Sequence, residues 1–121
     1  MNHKKVGRKF GRVKKQREAM FNTLLGSLIM REKITTTEAK AKEAKSLIDR
    51  IVNKAKKATE NNDLKVTVIR DLSRRLPNEA VKKLTGDFVK KFDGRDSGYT
   101  RVIKLSPRKS DAARMAVIEF V

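Results

Sequence analysis

Residues 16–30 read QREAMFNTLLGSLIM, and this stretch decides how the N-terminal half of the chain folds. Its apolar residues recur at helical spacing and form a single stripe: Ala19, Met20, Phe21, Leu24, Leu25, Leu28 and Ile29. Such a stripe is typical of an amphipathic helix that buries one face against a core. The helix continues directly from a basic segment, so we expect that segment to be anchored to a folded body.

The segment before the helix is strongly basic. Eight of the first 17 residues are Lys or Arg and none is acidic: Lys4, Lys5, Arg8, Lys9, Arg12, Lys14, Lys15 and Arg17. Its few apolar side chains cannot bury a core, so we expect it to be disordered until it meets a polyanion. The helix dipole disfavours cations at a helix start, so partner binding is the simpler reason for them. We therefore predict a basic arm over residues 1–15 and a single domain over residues 16–121.

The stretch KITTT at residues 33–37 is a β-branched cluster, which predicts a short strand. Its threonines offer N-caps, and Thr35 and Glu38 match a capping box, which indicates that a helix follows. The apolar period then predicts a helix over residues 38–59 that carries many lysines. Those lysines fit a solvated helix face as well as they fit a binding surface.

Two further helices are predicted from apolar spacing and capping residues. One covers residues 64–76 and buries Leu64, Val68, Ile69, Leu72 and Leu76. The other covers residues 79–92, after Pro77 ends its predecessor and Asn78 supplies the cap.

The C-terminal third predicts a β-hairpin. Strands over residues 99–105 and 115–121 are separated by a basic loop over residues 106–114. On the second strand Ala116, Ile118 and Phe120 share one face. Together these elements predict an α+β fold, with about four helices packed on a small mixed β-sheet. That sheet combines the strand after the first helix with the C-terminal hairpin.

Charge is the main compositional signal. Lys and Arg total 31 against 14 Asp and Glu, giving a net charge of +17 and a pI near 10.5. Beyond residue 17, 23 cations face all 14 acids, so the body itself carries +9. Such a surface attracts nucleic acid or anionic membrane. The apolar run over residues 19–30 is too short and too polar to span a bilayer, so we expect no membrane partner.

Catalysis and metal binding find little support in the sequence. With no cysteine and one histidine, the chain cannot build a usual zinc site, and turn geometry explains Asp93 and Asp96 without a cation. The single histidine, His3, lies in the arm, where a nucleophile–histidine pair would lack a fixed geometry. We therefore predict no enzyme activity, no cofactor, no metal and no small-molecule substrate.

Two regions hold the candidate nucleic-acid-binding residues. The arm contributes His3, Lys4, Lys5, Arg8, Lys9, Phe10, Arg12, Lys14, Lys15 and Arg17. The hairpin region contributes Tyr99, Arg101, Lys104, Arg108, Lys109 and Arg114. Phe10 has no obvious core to join and suits base stacking, whereas Tyr99 fits either stacking or covering the sheet edge.

Several blocks resemble the bacterial large-subunit ribosomal protein seventeen family. They are His3-Lys4-Lys5-x-Gly7-Arg8-Lys9, the helix from Ala19-Met20-Phe21 to Ser27-Leu28-Ile29, Thr35-Thr36-Thr37-x-x-x-Lys42-Glu43, Gly98-Tyr99-Thr100-Arg101-Val102-x-Lys104 and Asp111-Ala112-Ala113-x-Met115-Ala116-x-Ile118-Glu119-Phe120-Val121. The chain departs from the family at Gln16, Ser97, Ser110 and Arg114, where the family commonly has His, Gly, Gly and Pro. These departures bear on loop geometry more than on the likeness itself.

The resemblance implies a structural protein of the cytoplasmic large ribosomal subunit. It would bind large-subunit ribosomal RNA near the peptide exit tunnel and touch neighbouring ribosomal proteins. From the residues alone, two rivals stay open. A DNA-architectural protein shares the basic arm and small core. An RNA-processing enzyme would need an acidic metal cluster or a positioned base, and the sequence shows neither.

Overall fold

The structure, a computed structural model, describes residues 13–121. In chain order its elements are α1 (Lys14–Arg31), β1 (Lys33–Thr37), α2 (Glu38–Glu60), α3 (Asn62–Ser73), α4 (Asn78–Leu84), a 3-10 helix (Asp87–Phe92), β2 (Thr100–Lys104) and β3 (Met115–Phe120). Helices and strands contribute to one hydrophobic core, which confirms the predicted α+β class.

The three strands form one sheet in the order β1–β3–β2, and both pairings are antiparallel. The sequence predicts a mixed sheet, and this is wrong. β1 and β2 do run in the same direction, but β3 lies between them, so the two never pair. Across the face that meets the helices, Ile34, Ile118 and Val102 lie side by side.

The central helix is α2. Its inward face is lined by Ala41, Ala44, Ile48, Ile51, Val52, Ala55 and Ala58, all of them buried. The Thr37 hydroxyl caps the helix by accepting a hydrogen bond from the Lys40 amide at 3.4 Å. The prediction that one of the threonines at residues 35–37 caps the helix is therefore confirmed, but the capping box from Thr35 to Glu38 is wrong, because the strand continues through Thr37 and keeps Thr35 inside the sheet.

The helix predicted over residues 79–92 is two separate elements. α4 ends at Leu84, where the Thr85 hydroxyl donates to the Val81 carbonyl at 2.9 Å, and the 3-10 helix begins only after Gly86. The sequence does not reveal the break because Leu84, Phe88 and Phe92 recur every fourth residue across it. Asn78 is the first residue of α4 and provides no side-chain cap, so that prediction is also wrong.

Two predictions of buried residues fail near helix starts. Ala19 in α1 and Leu64 in α3 are exposed, the latter by 42%. Leu64 lies in an N-terminal portion of α3 that the core does not cover, since residues 61–67 are all exposed. The remaining stripe residues of α1 are buried or half-buried. Halfway along α1, Gly26 lets the ring of Pro77 approach: a Cβ at residue 26 would lie 2.9 Å from Pro77 Cδ.

Candidate nucleic-acid interface

The root of the basic arm lies in the first turn of α1. Lys14 and Lys15 are exposed and Arg17 is half-buried. No acid occupies this turn, and the N-cap residue, Val13, provides no side-chain capping hydrogen bond. Among residues 13–121 these three cations have no ion-pair partner, so their charge is available to a ligand. The other arm candidates, His3 to Arg12, lie outside the described residues.

The loop between β2 and β3 is tightly ordered by its own hydrogen bonds. The Arg108 guanidinium donates twice to the Asp111 carboxylate, at 2.9 Å from Nε and 2.7 Å from Nη2. The Ala113 amide donates to the same carboxylate at 3.1 Å, and Ala112 adopts φ 57° at the tip. The Arg108 bonds, helped by the Ala113 amide, lower the pKa of Asp111 from 3.8 to about 2. The loop is therefore shaped before any partner binds.

Ion pairing within the fold engages three of the five predicted hairpin cations. Arg108 is held by Asp111, as above. Arg101 Nε lies 2.7 Å from Glu119 Oε1, directly opposite on β3, and Lys104 Nζ lies 3.7 Å from Glu38 Oε1. The pKa of the Glu119 carboxyl is lowered, chiefly by its hydrogen bond from Arg101. These three cations contribute to the fold of the hairpin and are partly neutralised there.

Lys109 and Arg114 differ from the other hairpin cations. Both are exposed, and within the described part of the chain neither forms an ion pair. The Arg114 carbonyl accepts from the Glu38 amide at 2.8 Å, which fixes the base of the loop to the start of α2. Lys109 and Arg114 are thus two exposed cations, unpaired among residues 13–121, on an ordered loop.

Tyr99 belongs to the core. Its side chain is fully buried, and its ring meets Phe92 edge-on at a centroid distance of 5.2 Å. The hydroxyl lies 2.5 Å from Asn53 Oδ1 and 2.9 Å from the Arg95 carbonyl, and Lys56 Nζ approaches it at 3.4 Å. Of the two roles that the sequence leaves open, the structure supports packing. Tyr99 is therefore withdrawn from the candidate interface.

Three arginines that are not among the predicted nucleic-acid-binding residues lie at the C-terminal end of α3. Arg70, Arg74 and Arg75 are all exposed. The one acid among these residues, Asp71, is engaged by Lys54, whose Nζ lies 2.5 Å from Asp71 Oδ2. The sequence signal is the clustering of three arginines within six positions, 70–75, but the pairing of Asp71 with a residue on α2 is visible only in the fold.

Other kinds of site are not found in the described chain. Between residues 13 and 121 no group of three His, Cys, Asp or Glu side chains is arranged to hold a metal ion. The helices of the same part of the chain include none that is long and apolar enough to cross a membrane.

Comparison with known proteins identifies the family to which this basic chain is similar. The profile of the family described as ribosomal protein L17 matches residues 20–121. The large ribosomal subunit protein bL17 of Chloroherpeton thalassium is 46% identical over 122 residues, covering 100% of this chain and 69% of the relative. The bL17 protein of Chlorobium limicola is 44% identical, and the alignment covers all of this chain and 77% of the relative. The bL17 protein of Sorangium cellulosum is 38% identical, and the alignment covers all of this chain and 83% of the relative.

The family match covers α1 from residue 20 onward and all later elements of the fold, and the alignments with the relatives cover the whole of this chain. The chain therefore belongs to the ribosomal protein L17 family, a family of structural constituents of the large ribosomal subunit and not of enzymes.

Proposed function

We propose that the chain is held in the large subunit by binding 23S-type ribosomal RNA through the arm and the hairpin region, near the peptide exit tunnel. The observation that carries the proposal is the run of eight cations without an acid in the first 17 residues. This run continues into α1, which Phe21, Leu25 and Leu28 anchor in the core. A polyanion that binds the arm is thereby connected to a folded body.

The hairpin supports a second contact of a different kind. Lys109 and Arg114 project from a loop that the Arg108–Asp111 pair already holds in shape. Binding through them orders little additional chain, so little conformational entropy is lost. Each phosphate that a cation neutralises releases counterions, which makes the affinity depend on salt. Two separated contacts would fix the relative positions of two RNA segments.

Neighbouring large-subunit proteins are the second class of partner in this proposal. The sheet face that carries Arg101 also exposes Ile103 by 44%, and Leu105 beyond the strand is exposed by 43%. Arg101 on that face is already paired with Glu119, so the face offers apolar surface more than free charge. Such a surface suits a protein neighbour better than a phosphate backbone.

Deletion of residues 2–12 tests the arm. The described helix α1 begins at Lys14, so the body should keep its urea unfolding midpoint while incorporation into large subunits in growing cells falls strongly. A full-length variant with Lys4, Lys5, Arg8, Lys9 and Arg12 changed to Gln should lose as much, because the charge and not the length makes the contact. Undiminished incorporation of either variant would refute the role of the arm.

A double substitution tests the hairpin. Lys109→Gln with Arg114→Gln should weaken binding to large-subunit RNA by about fivefold per lost contact at about 0.15 M salt. Ser106→Gln with Ser110→Gln adds the same side chains to the same loop without removing charge and serves as the control. Equal affinities of the two variants would show that the loop cations do not bind RNA.

A further inference from the structure

We propose that the outward face of α3 is an additional RNA-binding surface, separate from the arm and the hairpin. This surface, called here the α3 arginine surface, consists of Val66, Arg70 and Arg74 on that face and of Arg75 in the turn that follows the helix. The inference rests on the proposed function, in that it takes ribosomal RNA as the polyanion.

Helix geometry places three members of this surface together, and Arg75 follows Arg74 in the turn that ends the helix. Val66, Arg70 and Arg74 follow one another at intervals of four residues, so they lie on one side of the helix. Arg74 at the C-cap keeps right-handed helical angles, and the Arg75 amide donates to the Leu72 carbonyl at 3.0 Å. The opposite side of α3 faces the core through Leu72, which is 1% exposed.

The charge of the α3 arginine surface is not compensated by its own acid. Lys54 binds the Asp71 carboxylate and is the main cause of the lowered pKa of that carboxyl, with smaller contributions from Arg75 and Arg74. Among residues 13–121, none of the three arginines has an ion-pair partner. This contrasts with the hairpin, where Arg101, Lys104 and Arg108 each meet a carboxylate.

Stability of the free protein does not account for the whole surface. Cations near a helix C-terminus are favoured by the helix dipole, which gives Arg70 in the last turn and Arg74 at the C-cap a local role. That role does not extend to Val66, a β-branched residue that is 60% exposed on the same face as Arg70 and Arg74. Guanidinium groups suit phosphates in particular, since they donate two parallel hydrogen bonds.

The test compares two full-length variants that lose equal charge. In the first, Arg70, Arg74 and Arg75 are changed to Gln. In the control, three exposed cations of α2 are changed to Gln, namely Lys45, Arg50 and Lys57. Counterion release gives about fivefold per phosphate contact at about 0.15 M salt, so the first variant should bind large-subunit RNA on the order of 100-fold more weakly. Its plot of log affinity against log salt should also flatten by about 0.7–0.9 per contact.

The outcomes separate this inference from the function on which it rests. A wild-type chain with no salt-dependent affinity for the RNA would refute the proposed function. A wild-type chain that binds while both variants lose affinity equally would refute the α3 arginine surface alone, since net charge would then explain the loss. Urea unfolding of both variants shows whether the fold is retained.

A second measurement does not depend on the stability of the arginine variants. A photo-cross-linking amino acid replaces Val66, and the chain is assembled into large subunits and irradiated. The same amino acid at Thr59, exposed near the end of α2, reports the background. Cross-links from position 66 to RNA above that background support the inference. Cross-links to protein alone, or none above background, would overturn it.

Discussion

The buried hydroxyl of Tyr99 offers the sharpest test of the fold, because the sequence leaves its role open. Tyr99→Phe removes one oxygen and keeps the ring. If the residue stacks on RNA, the free protein should not sense this change. If the residue belongs to the core, as the structure shows, the substitution should lower the free energy of unfolding.

The size of the loss follows from the partners of the hydroxyl. Asn53 Oδ1 and the Arg95 carbonyl compete for its one hydrogen, and Lys56 Nζ lies 3.4 Å away. Without the hydroxyl, Lys56 Nζ still donates to the Phe92 carbonyl at 3.2 Å, and Asn53 Nδ2 still donates to the Asp96 carbonyl at 3.1 Å. The hydrogen bond that the hydroxyl itself donates is therefore the one that is lost without replacement. A net hydrogen bond contributes about 0.5–1.5 kcal/mol and an unsatisfied buried partner about 1–3 kcal/mol. Since Asn53 is only half-buried, we expect a loss of about 1–2 kcal/mol.

Urea unfolding is the suitable assay, because guanidinium would screen the charges of so basic a chain. For a domain of this size, a loss of about 1 kcal/mol corresponds to a fall of roughly 4 °C in Tm. Ser46→Ala is the control: it removes an exposed hydroxyl that donates to the Glu43 carbonyl at 3.1 Å and should change stability by less than about 0.5 kcal/mol. A Tyr99→Phe midpoint equal to that of the control would refute the packing role.

Three further predictions concern stability and pH. Gly26→Ala gains about 1 kcal/mol of helix propensity but forces a Cβ against Pro77 Cδ at 2.9 Å, an overpacking cost of about 1–3 kcal/mol. The Tm should therefore fall, and adding Pro77→Ala should recover part of it; a rise in Tm for Gly26→Ala alone contradicts this. Leu28→Ala, at a residue with 0% exposure, should cost about 2–5 kcal/mol in urea unfolding, and a loss below about 1 kcal/mol would show that the core is packed differently. The Asp111 carboxylate should titrate near pH 2 by NMR, so its stabilisation of the loop is fully present above pH 3.8 and is lost as the pH falls through about 2. Arg108→Gln should raise that midpoint toward 3.8, and an unchanged midpoint would exclude the ion pair as its main cause.

The secondary structure was largely predictable because it depends on local pattern. Apolar spacing gives α1, α2 and α3 to within a few residues, and the β-branched cluster at residues 33–37 gives β1 with its observed bounds. The order of the sheet was not predictable, since it depends on which strand β1 pairs with, some 80 residues away in the chain. The break between α4 and the 3-10 helix escaped prediction because the apolar period continues across it.

The candidate site was less predictable than the fold, because charge pairing depends on register. Arg101 and Glu119 are 18 residues apart in sequence and meet only because β2 and β3 place them opposite each other. Lys54 reaches Asp71 only because α2 and α3 pack side by side. The sequence alone could not decide whether Tyr99 stacks on a base or packs in the core, because the answer depends on tertiary contacts that bring its ring beneath the Lys56 side chain.

These pairings change what the net charge of +17 means. A count of cations gives the hairpin five of them and makes it the natural second contact for RNA. The fold pairs three of those five with carboxylates, whereas Arg70, Arg74 and Arg75 have no ion-pair partner among residues 13–121. An exposed ion pair contributes only about 0–1 kcal/mol, so a phosphate can still displace it, but each displacement frees a carboxylate that repels the same phosphate. Per cation, the hairpin should therefore bind RNA more weakly than the α3 arginine surface, and this ranking can be measured directly by comparing Arg101→Gln with Arg74→Gln.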